Sequence, residues 1–145
     1  MPGLRVMETT MSRLLAPWLY TAMRIVFGLL FLMHGLQKLF GILGGTAAGP
    51  TTQLGIAGVI ETIGGPLIMA GLMTRATAVL CAGEMAAAYF IVHQPRAPWP
   101  IQNGGEPAVL FCFAFLYFAA VGGGTWSLDA ALAARGGSAV ARRRV

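Results

Sequence analysis

Seven ionisable residues stand where an apolar chain should have none. Arg24, His34, Lys38, Glu61, Glu84, His93 and Glu106 fall inside or at the rims of long apolar stretches. At the centre of a bilayer a charged side chain costs about 2.5–3.5 kcal/mol on insertion scales. Several in one short chain are tolerable only if they face the protein interior and satisfy one another. Their types point to chemistry as well. Histidines and carboxyls at one depth can relay protons or hold the head group of a lipid-soluble quinone. Two histidines with a carboxylate could instead serve a haem or a metal.

The elements that must position these residues are four apolar segments, at about 17–41, 54–73, 76–93 and 106–121. A membrane span needs about 20 residues, within a range near 17–25. The intervening gaps carry loop chemistry: a flexible run from Gly44 to Pro50, a tight turn at Thr74-Arg75, and a proline- and glycine-rich excursion from Gln94 to Gly105. Gly122-Gly-Gly124 ends the last segment. The first segment is longer than the 7–15 apolar residues of a signal peptide and is interrupted by Arg24, so it reads as a retained span. Ser127 is placed to cap a short surface helix reaching toward Arg135.

Composition agrees with a bilayer as solvent. Of 145 residues 57% are hydrophobic and 10% are charged, against about 25% charged in a soluble domain. Mean hydropathy is +0.71. The expectation is one all-α domain over residues 1–145: an integral membrane four-helix bundle of antiparallel up-and-down spans. The net charge of +5 sets its direction. Arg5, Arg13, Arg75, Arg135 and the run Arg142, Arg143, Arg144 share one side, whereas the other has Arg96 and, at the end of the first span, Lys38. The positive-inside rule therefore puts both termini, with a basic tail over 130–145, in the cytoplasm. With few polar or aromatic residues around these arginines, no nucleic-acid surface is indicated. The tail's partner is the lipid bilayer.

A rise of 1.5 Å per residue converts position into depth. Arg24 lies about 10 Å and Glu84 about 12 Å from the cytoplasmic edge, so a buried Arg24–Glu84 ion pair is expected as a register pin. His34 and His93 come out near 25 Å, with Glu61 close to the same level. Lys38 is one turn beyond His34, and Glu106 opens the fourth span. His34, Lys38, Glu61, His93 and Glu106 thus form a candidate ligand-binding cluster opening on the extracytoplasmic side. Three readings stand: a proton-relay or quinone head-group pocket, a haem or metal site, and a hydrogen-bonded plug that fixes helix register. Cys81 and Cys112 sit at different depths and read as free, buried thiols. Ala78, Ala82 and Ala86, with Gly83 and Ala87 beside them, read as a helix-packing stripe.

The ordered motifs resemble a known family. They are Arg24-x-x-x-Gly28-x-x-Phe31-x-x-His34-Gly35-x-x-Lys38-x-x-Gly41, Glu61-x-x-Gly64-Gly65, and Gly71-Leu72-x-Thr74-Arg75. Glu84-Met85, His93, Asn103-Gly-Gly-Glu106 and Gly124-x-Trp126-Ser127-Leu128-Asp129 follow. From about residue 17 to 130 the pattern is similar to the DoxX family of bacterial membrane proteins. The resemblance implies a four-helix bundle in the bacterial inner membrane. Through the related DoxD branch, a membrane subunit of thiosulfate:quinone oxidoreductase, it also implies an association with electron transfer at the quinone pool. The chain has no dinucleotide fingerprint and no paired cysteines, and so no self-contained catalytic motif; at most it is a membrane subunit of an oxidoreductase. It would act as a quinone-interacting accessory or anchoring subunit beside a redox partner protein, with oligomerisation left open. The alternative is a non-catalytic scaffold or small-solute pathway lined by the same residues.

Overall fold

The computed structural model describes the backbone over residues 2–142 and the side chains over residues 13–136. The side chains of Arg5 and of the tail arginines at 142–144 lie outside the described residues. Helices account for most of the described backbone, in the order α1 (Pro2–Phe40), α2 (Gln53–Ala70), α3 (Thr74–Ala88), α4 (Pro100–Asn103), α5 (Glu106–Val121) and α6 (Leu128–Arg142). No strand occurs among the described residues. α3 continues through a π-helical turn, Tyr89–His93, and a 3₁₀ turn, Gln94–Arg96. Arg13–Phe40, Gln53–Ala70 and Thr74–Arg96 are each long and apolar enough to cross a membrane, and Glu106–Val121 is a shorter apolar helix.

Glycine decides the closest packing. α1 lies along α2 with almost no side chain between them. A Cβ on Gly28 would stand 2.7 Å from the Gly65 carbonyl oxygen, and one on Gly35 would stand 2.5 Å from the Thr62 amide nitrogen. Small residues in this way let helices approach in lipid, where dispersion and not water exclusion holds them together. α2 meets α3 at Gly64, where a Cβ would come within 2.6 Å of Cys81 Sγ. Cys81 is buried and Cys112 half-buried, and both are free thiols.

The core beneath these seams is aromatic. Phe31 of α1 meets Phe115 and Phe111 of α5 at ring-centroid distances of 4.7 and 5.7 Å, while Phe27 meets Phe111 at 5.5 Å. Ala78 and Ala82 of the expected stripe are buried within this core. Leu14, Leu29, Ile63, Leu80, Phe90, Leu110 and Phe113 face outward and are exposed. A surface of this apolarity suits lipid as its solvent.

The chain ends its spans where glycine permits. Gly71 adopts a left-handed φ of 66°. The amides of Gly71 and Leu72 return to the carbonyls of Ile68 and Leu67, which closes α2 at Ala70 rather than at Met73. Ser127 caps α6 as expected, its Oγ accepting from the Ala130 amide at 3.2 Å.

Candidate functional site

Where α2 ends and α3 and α6 begin, every charged side chain that contacts the bundle meets a helix terminus. Arg24 is 1% exposed. Its Nη1 donates to the carbonyls of Ile68 (2.5 Å) and Met69 (2.7 Å), and its Nη2 donates to the carbonyl of Trp126 (2.7 Å). The guanidinium therefore sits on the negative end of α2, where the last carbonyls have no helical partner. A Cβ at position 71 would stand 2.6 Å from Arg24 Nη1, so Gly71 is needed for space as well as for its backbone. Arg75 does the same for α5, donating to the carbonyls of Ala119, Ala120 and Val121. Asp129 takes the opposite pole. It accepts from the amides of Met73 and Thr74 and from the Thr74 hydroxyl at the start of α3, and its own amide donates to the Gly71 carbonyl. Partial burial opposes the charge of Asp129. The Thr74 and Met73 bonds, aided by Arg24, outweigh it and hold the carboxyl below its ordinary range.

The expected Arg24–Glu84 pair is corrected by this geometry. The Arg24 fork is taken up by backbone carbonyls at the end of α2, whereas Glu84 lies well along α3 from Thr74. Among the described residues the salt bridge joins Lys38 Nζ to Glu61 Oε1 at 2.5 Å. Glu84 interacts electrostatically with Glu61 and Lys38.

At the opposite end lies a cavity of about 790 Å³ between α2 and α3, open along the outer surface. Lys38, Glu84 and His93 supply its charged or titratable groups. Ile56, Ala57 and Ile60 of α2 and Leu80, Gly83 and Ala87 of α3 supply much of its apolar wall. Gly83 and Ala87 thus line an opening and do not make a seam; a Cβ on Gly83 would meet nothing within 4 Å. His93 ends the π turn with Nδ1 3.2 Å from the Asn103 carbonyl oxygen. A carbonyl can only accept, so Nδ1 carries the proton and Nε2 is left as the acceptor. Asn103 is itself fixed by bonds to the Ala97 carbonyl and the Gly105 amide.

The structure brings together part of the expected cluster. Lys38 and Glu61 are bonded, and Lys38, Glu84 and His93 share the cavity wall. His34 is exposed and turns its ring edge-on to Phe111, with centroids 6.0 Å apart, outside the cavity lining. Glu106 is exposed at the first residue of α5. Among the described residues no group of three His, Cys, Asp or Glu side chains is arranged to hold a metal ion. Sequence reasoning passed over the capping roles of Arg75 and Asp129. It also missed the α1–α2 seam, whose signal was the spacing of seven between Gly28 and Gly35 and again between Gly58 and Gly65.

The DoxX family model matches residues 19–94, more than half of the chain. The chain belongs to the DoxX family. An uncharacterized protein of Haemophilus influenzae is 39% identical over 120 residues, 78% of this chain and 90% of that one. A Bacillus subtilis DoxX-like relative described as "Putative oxidoreductase CatD" is 30% identical over 112 residues, 74% of this chain and 81% of its own. No solved structure matches the chain significantly.

Proposed function

We propose that this DoxX protein is a redox-associated accessory or anchoring subunit of the bacterial inner membrane that binds a quinone in the groove between α2 and α3. In this reading one membrane domain forms a four-helix bundle with both termini in the cytoplasm, and the groove opens in the extracytoplasmic half. The basic residues Arg13, Arg75 and Arg135 at the opposite end support that orientation.

The groove carries the proposal. Its volume is within the 300–1,000 Å³ range usual for small-molecule sites. Its walls are apolar enough for an isoprenoid tail, and its polar groups are few and lie together. Lys38, Glu84 and the Nε2 face of His93 would hold the quinone oxygens, while Ile56, Ala57, Leu80 and Ala87 would flank the ring and the start of the tail. Bound quinone would supply reversible two-electron chemistry; electrons would come from a partner protein. His34 and Glu106 would take a peripheral part, at the rim of the same half. The name of the Bacillus relative is consistent with a redox association.

The test is purification in mild detergent, followed by extraction and quantification of bound quinone, together with a photoreactive quinone probe. Crosslinks at α2 and α3 positions lining the groove are expected, and they should disappear in Gly83→Leu, which fills the groove. Absence of both co-purified quinone and groove crosslinks would overturn the proposal in favour of a scaffold role.

A further inference from the structure

Lys38 and Glu84 line the groove, and a second carboxyl, Glu61, stands behind Lys38. Lys38 Nζ is engaged by Glu61 Oε1. Glu61 is 1% exposed, and its Oε2 has no hydrogen-bond partner. Glu84 Oε2 is likewise buried without a partner, on a side chain that lines the groove. With both carboxyls ionised, this apolar site would carry an uncompensated negative charge, which burial strongly disfavours. One bound proton removes it. Lys38 already neutralises Glu61, so the proton falls to Glu84.

We propose that Glu84 faces the groove as a carboxylic acid, whose O–H selects a head group with a hydrogen-bond-accepting carbonyl. The selection rests on the groove reading above; the proton does not. The charged and titratable groups around Glu84 are Lys38 from α1, Glu61 from α2, and Cys81 and His93 from α3 itself. α5 presents Ala108, Phe111 and Phe115 to the core and no charge. Cys81 is buried against Gly64, and His93 keeps its Nδ1 proton on Asn103.

A lipid-soluble carbodiimide tests the proton directly. A carboxylic acid adds across one C=N bond of the reagent, its proton passing to nitrogen. Rearrangement to an N-acylurea then leaves the peptide heavier by the whole reagent. Protein in nanodiscs is treated with dicyclohexylcarbodiimide at about pH 8, where a water-exposed carboxyl with an ordinary value near 4.3 is ionised. The adduct is located by mass spectrometry. Glu84 should be modified and Glu106 spared, with Glu84→Gln losing the adduct and a soluble quinone analogue protecting the wild type. Infrared spectra supply a second readout, a carboxylic-acid C=O band lost in Glu84→Gln. Absence of both adduct and band overturns the proton, even if quinone crosslinks persist. An unprotected adduct sustains the proton and removes the carbonyl selection.

Discussion

The two ends of the helix assembly treat buried charge in opposite ways. At the turn between α2 and α3, Arg24, Arg75 and Asp129 each meet a helix pole, and the partners are mostly backbone atoms. At the groove end, one ion pair is made, two carboxylate oxygens have no partner, and a cavity opens beside them. The first arrangement leaves one buried guanidinium nitrogen, Arg24 Nε, without a partner, but it opens on no groove and is suited to fixing helices. The second retains polar capacity that the protein itself does not use. Charged residues in membrane helices therefore divide by partner: those satisfied by the backbone hold structure, and those left incomplete are available to a ligand.

The strongest way to break this contrast is to delete the buried guanidinium. Arg24→Ala strips its donors from the carbonyls of Ile68, Met69 and Trp126, of which Ile68 keeps the Gly71 amide, and should cost about 3–5 kcal/mol, read as a lowered Tm in nanodiscs. Arg24→Lys should recover little, because one ammonium cannot reproduce the planar fork. Glu84→Gln at the other end should change stability by less than about 1 kcal/mol; an equal loss at both ends would abolish the distinction. A gentler probe uses two glycines. Gly28→Ala drives a methyl into the Gly65 carbonyl and should cost about 1–3 kcal/mol. Gly83→Ala enters open space and should be neutral or stabilising by about 0.5–1 kcal/mol.

A more local effect concerns Asp129. Removing a helix cap costs about 1 kcal/mol, so Asp129→Ala should loosen α6 without unfolding the spans. The folded-state carboxyl is held below its ordinary value of 3.8. Its stabilising contribution is therefore complete above that value and is lost as pH falls through the lower, folded one. Hydrogen exchange at the Met73 and Thr74 amides, followed against pH, should show protection failing in acid. Asp129→Asn should flatten that dependence.

The helices were legible in the sequence because apolar length and turn chemistry are local. The expected segment at 106–121 coincides with α5, and Ser127 caps α6. The third segment runs past His93 to Arg96 because Pro95 fits the first turn of a 3₁₀ helix, where no amide donor is needed. The site was legible only in outline. A rise per residue places the Arg24 and Glu84 backbones at one height but says neither which way they face nor that the Arg24 side chain reaches the end of α2. Arg24's acceptors are carbonyls that every residue carries, so no pattern of side chains could reveal them. His34 shows the same gap. It shares a helix face with Lys38, yet a modest rotation toward α5 sets it on Phe111. The groove was hidden for another reason: Gly83 and Ala87 have the spacing of a packing seam, and only the absent neighbour makes them a wall.

The bond from Arg24 to Trp126 also has a consequence in time. The two residues are 102 positions apart, and Tyr20 reaches the Gly122 carbonyl across the same separation. At about 5–20 residues per second of synthesis, the first span emerges roughly 5–20 s before its last partners exist. Ile68 and Met69 arrive about half-way through that interval. A ribosome that stops short of Trp126 leaves a membrane helix with a guanidinium only partly occupied. Arg24 thus completes its set of bonds only once the segment after α5 has been made.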